Sequence, residues 1–465
     1  MKEHDPLSFY RATITPEYVT ELLQAAKIAP RAGIFSATTV VWLMIAQRMG
    51  ENDTLSAAVE SLRLRREREL LEDSSGSCRA RAGRIASGTS GYSQARKRIP
   101  ITVVEQIADR LNETILTYRR KQSRSVKDDV YVIDGSTIRV AHTPDNLAEY
   151  PQHTNQHGES HYPLIRIAVA THADTGIITR PSFGPYNGPN AVSEHELAKG
   201  VLSQLPEGAT VIGDRLYGCF RFAHIANSLN LKVVCRMKES NAKAMLKFAP
   251  TGIGEQTVVW TPSAHDQKRN PEMCDEKVQG RLVWCPLSEG RKTKEMLVIF
   301  TTTDLPLKSV IALYGRRWLV ETDLRNLKAT LKMNFIDAKS PAMISKEIIL
   351  GSCAYNLLCY MMSTAAAREK MSARQLSFTA VLRRIHSIAS ISIAALPAKH
   401  LRQSLTIALT DIRGLALPNR AAPRQAEPRK VWRRGERKYF SDSRENERKT
   451  SPKRKYTALK QRLTR

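Results

Sequence analysis

Paired cysteines are missing from this 465-residue chain: Cys78, Cys219, Cys235, Cys274, Cys285, Cys353 and Cys359 stand scattered and odd in number, with no C-x-x-C among them. That pattern excludes a zinc ribbon and a disulfide framework and fits a reducing, cytoplasmic setting. The opening residues MKEHDPLSFYRATITPEY lack the apolar core of a secretory signal. Long apolar runs are scarce as well. The longest, residues 348–367, is interrupted by Gly351, Ser352, Asn356, Ser363 and Thr364, which predicts a buried core helix and no membrane span. No internal repeat is present. Acidic residues are the last deficit: 45 Asp and Glu against 72 Lys and Arg leave a formal charge of +27. Self-repulsion on that scale points to a polyanionic partner, most simply nucleic acid.

The chain is long enough for about two to four domains. Residues 1–122 carry helical apolar runs such as YVTELLQAAKIA and ATTVVWLMIAQRM, and a basic face at Arg63, Arg65, Arg66 and Arg68. A Gly- and Ser-rich stretch with Arg79, Arg81 and Arg84 follows and reads as a loop or linker. The whole region predicts an all-helical module suited to binding DNA. Near Asp129 the texture changes to short β-branched runs, with one helical segment, SEHELAKGVLSQL, between them. Residues 123–238 and 296–370 therefore read as two parts of one α/β core. Residues 239–295, irregular and with strands at QTVVWT and GRLVWCPL, read as a β-rich insertion. Residues 371–465 predict helices and then a basic arm: from Arg420 onward 17 Lys and Arg face 5 acids, with Trp432, Tyr439, Phe440 and Tyr456 among them.

Three acids carry the candidate chemistry. Two apolar runs end in an aspartate, VYVIDGS at Asp134 and ATVIGDRLYG at Asp214. One such aspartate alone is most often a turn former. Two on strands able to neighbour each other, with a glutamate on a helix packed against the sheet, read as a site at strand ends. Gathered carboxylates repel and require a cation. Hard oxygen donors favour Mg²⁺ or Mn²⁺, and two such ions suit hydrolysis and transfer at a phosphodiester. The glutamate is Glu321 in YGRRWLVETDLRNLK. On a regular helix Tyr314, Arg317, Glu321 and Lys328 would form one stripe at the rim of the buried face. An ordinary i,i+4 ion pair of Arg317 with Glu321 explains part of that stripe. A clamp on DNA phosphates either side of the scissile bond explains all of it.

The spacing Y-x2-R-x3-E-x6-K, with Asp134 in IDGST and Asp214 in GDRLYG, resembles the YREK signature of bacterial insertion-sequence DDE transposases of the hairpin-forming, IS-four-like group. The resemblance in order of parts covers most of the chain. It implies a ribonuclease-H-like core interrupted by the β-rich insertion, an N-terminal end-binding domain and a dimeric synaptic complex on double-stranded DNA. It implies cut-and-paste chemistry with Asp134, Asp214 and Glu321 as the catalytic metal ligands, two Mg²⁺ ions with Mn²⁺ as substitute, and no membrane. The 107 residues from Asp214 to Glu321 leave room for the insertion. Arg236 and Lys238 resemble the family's basic pair near the transferred strand and read equally as surface cations. The strand EMLVIFTTTD lacks the tryptophan that would hold a flipped base; Trp260 and Trp284 lie nearby and read equally as core. The rival readings are a non-catalytic or domesticated DNA-binding relative and a nuclease that cleaves without joining.

Overall fold

The computed structural model describes residues 5–31, 33–64, 66–71, 85–122, 129–155, 158–159, 162–287 and 296–389. The loop cations Arg79, Arg81 and Arg84 and the basic arm from Arg420 lie outside the described residues. In chain order the elements begin with helices α1 (Pro6–Thr13), α2 (Pro16–Ala25), α3 (Ala37–Met49), α4 (Leu55–Leu64), α5 (Ser90–Arg98) and α6 (Ile101–Gln122). Then come β1 (Val130–Val140), α7 (Pro144–Glu149), β2 (Thr154–Asn155), β3 (Gly158–Glu159), β4 (Leu164–His172), β5 (Ser182–Pro185) and α8 (Glu194–Leu202). They are followed by β6 (Thr210–Gly213), α9 (Phe220–Ser228), β7 (Lys232–Arg236), α10 (Glu239–Leu246), β8 (Gly254–Trp260), α11 (Ala264–Arg269), β9 (Val278–Pro286) and β10 (Met296–Thr301). The last are α12 (Leu307–Tyr314), α13 (Trp318–Arg325), β11 (Phe335–Ile336), α14 (Pro341–Arg368) and α15 (Phe378–Ala389). The architecture is mixed α/β.

Contacts divide the described chain into two compact units, one of residues up to 205 and from 319 onward, the other of residues 206–318. The first unit centres on α14, whose residues from Ile344 to Ala366 are almost all buried and which packs against α3 and α6. Among the described residues it is the one helix long and apolar enough to cross a membrane, and 94% of its apolar window lies inside the fold. Polar groups fix its placement. Asn356 joins Asn112 at 2.7 Å and brackets Ile178, donating to its carbonyl at 2.7 Å and accepting from its N–H at 2.8 Å. Arg48 and Arg96 converge on Glu347. The N-terminal helices are thus joined to the segment after Glu321 through buried contacts.

In the same unit β4 pairs antiparallel with β1 and with β5, and the short β11 runs parallel to the far end of β1. Helix α8 packs on β4 and β5. It begins at a capping box, Ser193 with Glu196, the start that the S-x-x-E spacing dictates.

The second unit is a five-stranded run in the order β6-β7-β10-β9-β8. The first pair is parallel and the others antiparallel. The insertion strands β8 and β9 lengthen this sheet beyond β10 and form no sheet of their own. Trp260, Phe220 and Phe300 knit them to it, with Trp260 and Phe300 ring centroids 4.7 Å apart. Trp260 and Trp284 are each 7% exposed, and Trp284 donates to the Thr251 carbonyl at 3.2 Å. Both tryptophans are core residues.

Candidate active site

Asp134 lies within β1, not at its end. The apolar run Val130–Ile133, β-branched but for Tyr131, starts the strand, and the pairing with β4 continues from Asp134↔Val169 to Arg139↔Leu164. Gly135 is a strand residue at a close approach: a Cβ there would occupy the space of the Glu194 carboxyl, the use of a strand glycine that leaves pairing intact. Side chains alternate along a strand, so Asp134 and Ser136 share one face of β1 while Glu194 covers the other. The half-buried Asp134 accepts the Gly135 N–H at 2.8 Å.

Lys328 reaches the Asp134 face. Its Nζ donates to Ser136 Oγ at 3.0 Å, which places an ammonium two residues along β1 from Asp134. Partial burial, with Arg139 nearby, lowers the Lys328 pKa. The single stripe expected of residues 314–328 is not formed on one regular helix. Helix α12 ends at Tyr314, residues Gly315–Arg317 form a 3₁₀ turn, α13 follows, and Asn326–Thr330 is a π turn. The angular step per residue rises to about 120° in the first irregular turn and falls below about 100° in the second. Tyr314, expected at the rim, is 1% exposed. Arg317 is half-buried and lies over the Trp318 ring, 4.6 Å from its centroid. Glu321 is exposed on α13.

Two residues beyond Glu321 stands Asp323, which the sequence reading missed. Its side chain is 2% exposed and receives both prongs of Arg374, at 2.5 and 3.0 Å, and the Tyr355 hydroxyl at 3.0 Å. Burial pushes the Asp323 pKa up, and the Arg374 charge and hydrogen bonds oppose that shift. The two-pronged geometry is that of an ionised pair. A local signal existed: Asp323 interrupts the buried stripe of Val320, Leu324 and Leu327, and a buried acid demands a cation. Nothing local points to Arg374, 51 residues away.

In the second unit Asp214 directly follows β6, and its Oδ1 accepts the Leu216 N–H at 2.7 Å. Here the aspartate is a turn former, as its type and position predict. The parallel register ends at Gly213↔Cys235, so Asp214 and Arg236 each stand one residue beyond the last paired position of their strands. A Cβ at Gly218 would collide with the Arg236 carbonyl, so the loop after β6 packs directly on the end of β7. Burial, with Cys219 and Asp214 adding to it, pushes the Cys235 thiol well up. Arg236 is half-buried and Lys238 is exposed at the start of α10. The first unit thus brings Lys328 to the Asp134 strand, and the second puts Asp214 and Arg236 just past the ends of two neighbouring parallel strands. Among the described residues no group of three His, Cys, Asp or Glu side chains stands close enough to hold a metal ion.

A family model, the transposase DDE domain, matches residues 125–357, about half of the chain and a span that contains Asp134, Asp214 and Glu321. The chain belongs to the transposase DDE-domain family. No curated protein matches it. Its general function is that of a transposase, and transposases of this family use divalent metal ions.

Proposed function

We propose that this transposase cuts double-stranded DNA at the ends of an insertion sequence and joins the freed 3′-hydroxyl to target DNA, the cut-and-paste reaction of the IS-four-like group. The observation that carries the reading is the company of each aspartate within the matched span. Asp134 has Lys328 on its face of β1, and Asp214 and Arg236 follow the last paired residues of neighbouring parallel strands. A carboxylate with a neighbouring cation suits a substrate that is a phosphodiester.

Asp134, Asp214 and Glu321 fit Mg²⁺ by donor chemistry, being hard oxygen ligands at partly buried or exposed positions. They are the residues that would hold it, as one ion or two, with Mn²⁺ as substitute. When bound, the metal supplies charge stabilisation at the phosphate and lowers the pKa of an attacking water or hydroxyl. The chain's own residues do the rest. Lys328, Arg317, Arg236 and Lys238 bind phosphate oxygens and hold the scissile bond in register. Tyr314, buried at the end of α12 directly before the 3₁₀ turn, anchors the backbone that leads to Arg317. The net charge of +27 supplies sequence-independent attraction to DNA. Residues 1–122 are the end-binding domain, the arm from Arg420 adds backbone contacts, and two copies act on paired ends in the cytoplasm.

The test is a supercoiled plasmid carrying the DNA that flanks the reading frame, incubated with the full chain and Mg²⁺. Joined products with cleaved ends are expected. Nicks without joined products would favour a nuclease, and binding without nicks a DNA-binding relative.

A further inference from the structure

Glu321 rides on a helix whose own ends do not fix its rotation. Helix α13 has eight residues and is bounded by a 3₁₀ turn before it and a π turn after it, both of poorer geometry than the α-helix. What fixes it is a tether on its inner side. Asp323 lies roughly 200° around the helix from Glu321, so one acid faces inward while the other faces solvent. Arg374, on the 3₁₀ turn Ala373–Gln375, grips both carboxylate oxygens of Asp323. The same guanidinium donates to the Ala173 carbonyl at 2.9 Å and to the His172 carbonyl at 3.1 Å. Those carbonyls close the end of β4, whose register with β1 places Val169 opposite Asp134. One side chain therefore links the helix of Glu321 to the strand pair of Asp134.

We infer that Arg374, acting through Asp323 with Tyr355 as second donor, is a positioning residue: it sets the rotation and depth of α13 and so the place of the Glu321 carboxylate relative to Asp134. The inference rests on the reading of Glu321 and Asp134 as catalytic. Stability alone does not account for the arrangement, because an apolar pair of similar volume fills such a site at least as stably. A planar fork held between a carboxylate and two carbonyls adds orientation, which an apolar pair lacks.

The experiment compares Arg374→Lys, which keeps the charge and loses the fork, with Glu321→Gln. Each full-length variant is measured for melting temperature, affinity for the flanking-DNA duplex, amide exchange at residues 319–325, and Mg²⁺-dependent cleavage at saturating DNA. In Arg374→Lys, exchange at 319–325 should rise about tenfold with the remaining core amides unchanged. Cleavage should fall about 100-fold while DNA affinity stays within about twofold. Glu321→Gln should abolish cleavage without changing that exchange. Wild-type cleavage by Arg374→Lys beside an inactive Glu321→Gln overturns the positioning role alone. Exchange that rises uniformly across the core does so as well, since it marks a merely structural residue. Wild-type cleavage by Glu321→Gln overturns the reading of the site and the positioning with it. Should Arg374→Lys not fold, Asp323→Asn, equal in size and still an acceptor for Tyr355, carries the same readouts.

Discussion

Asp134 and Asp214 are held in opposite ways. Asp134 stands within an eleven-residue strand, with pairing on both sides of it along the chain, Lys328 tied to its own face and Glu194 covering the other. Asp214 stands in a turn after a four-residue strand, fixed by one backbone N–H and by the packing of Gly218 on the Arg236 carbonyl. The first aspartate is positioned by long-range pairing and tertiary contacts, the second mainly by local turn chemistry. A substitution near Asp134 should therefore be absorbed by the side chains around it. One near Asp214 should move backbone.

The largest effect expected outside the acids themselves is at Lys328. Lys328→Ala should lower cleavage by about 100-fold, because a phosphate on the Asp134 face loses its clamp. Its melting temperature should change little, since one half-buried hydrogen bond contributes about 1 kcal/mol. Ser136→Ala, which only releases Lys328, should show a weaker form of the same defect in the plasmid assay. Equal loss of stability in both variants with no loss of cleavage would make Lys328 a structural tie between β1 and the π turn.

Next comes the Asp323 pair. Arg374→Ala should cost about 3–5 kcal/mol, read from the urea midpoint, because it leaves a buried carboxylate uncompensated. No residue around Asp214 should match that value, since that turn contains no buried ion pair of this kind among the described residues.

The two glycines sharpen the contrast. Gly218→Ala should cost about 1–3 kcal/mol, since its Cβ meets the Arg236 backbone and the strand end must shift. Gly135→Ala meets only the flexible end of Glu194 and should cost less than about 1 kcal/mol, with Glu194→Ala relieving the crowding. The reverse order of these two values would break the comparison.

A last effect, spread over a range of pH, concerns Lys346, whose pKa burial and Arg96 push down to about 8 from 10.5. Between those values the unfolded chain keeps a proton that the folded chain has released, so stability rises with pH through that window. It is flat below it. Lys346→Met should remove this rise. Thermal melts of both proteins from pH 7 to 10 read the difference in slope, a few degrees at most by the usual scaling of Tm with stability.

Much of the α/β alternation was legible because period-2 and period-3.6 patterns report local burial directly. The helix in SEHELAKGVLSQL and the buried helix around residues 348–367 followed from such signals. Three things were not. The reason for Gly135 was hidden because only Glu194, 59 residues on by number, shows that it marks a close approach. The 3₁₀ and π turns around α13 were hidden because a helical-wheel reading presumes one angular step throughout. The Asp323–Arg374 pair was hidden because a buried acid announces that it needs a cation but not which one. Of the candidate site, the acids and the cations of the Glu321 helix were proposed from position and spacing, and Arg236 and Lys238 from the family resemblance. Their supports belong to tertiary structure.

The central claim is that Asp134, Asp214 and Glu321 act as one catalytic set. It is tested most directly by single-turnover cleavage of the flanking-DNA plasmid by Asp134→Ala, Asp214→Ala and Glu321→Ala, each alongside its DNA affinity. Cleavage should fall by several orders of magnitude in all three, with DNA binding close to that of the wild-type chain. Near-wild-type cleavage with Mg²⁺ in any one of them would contradict the claim.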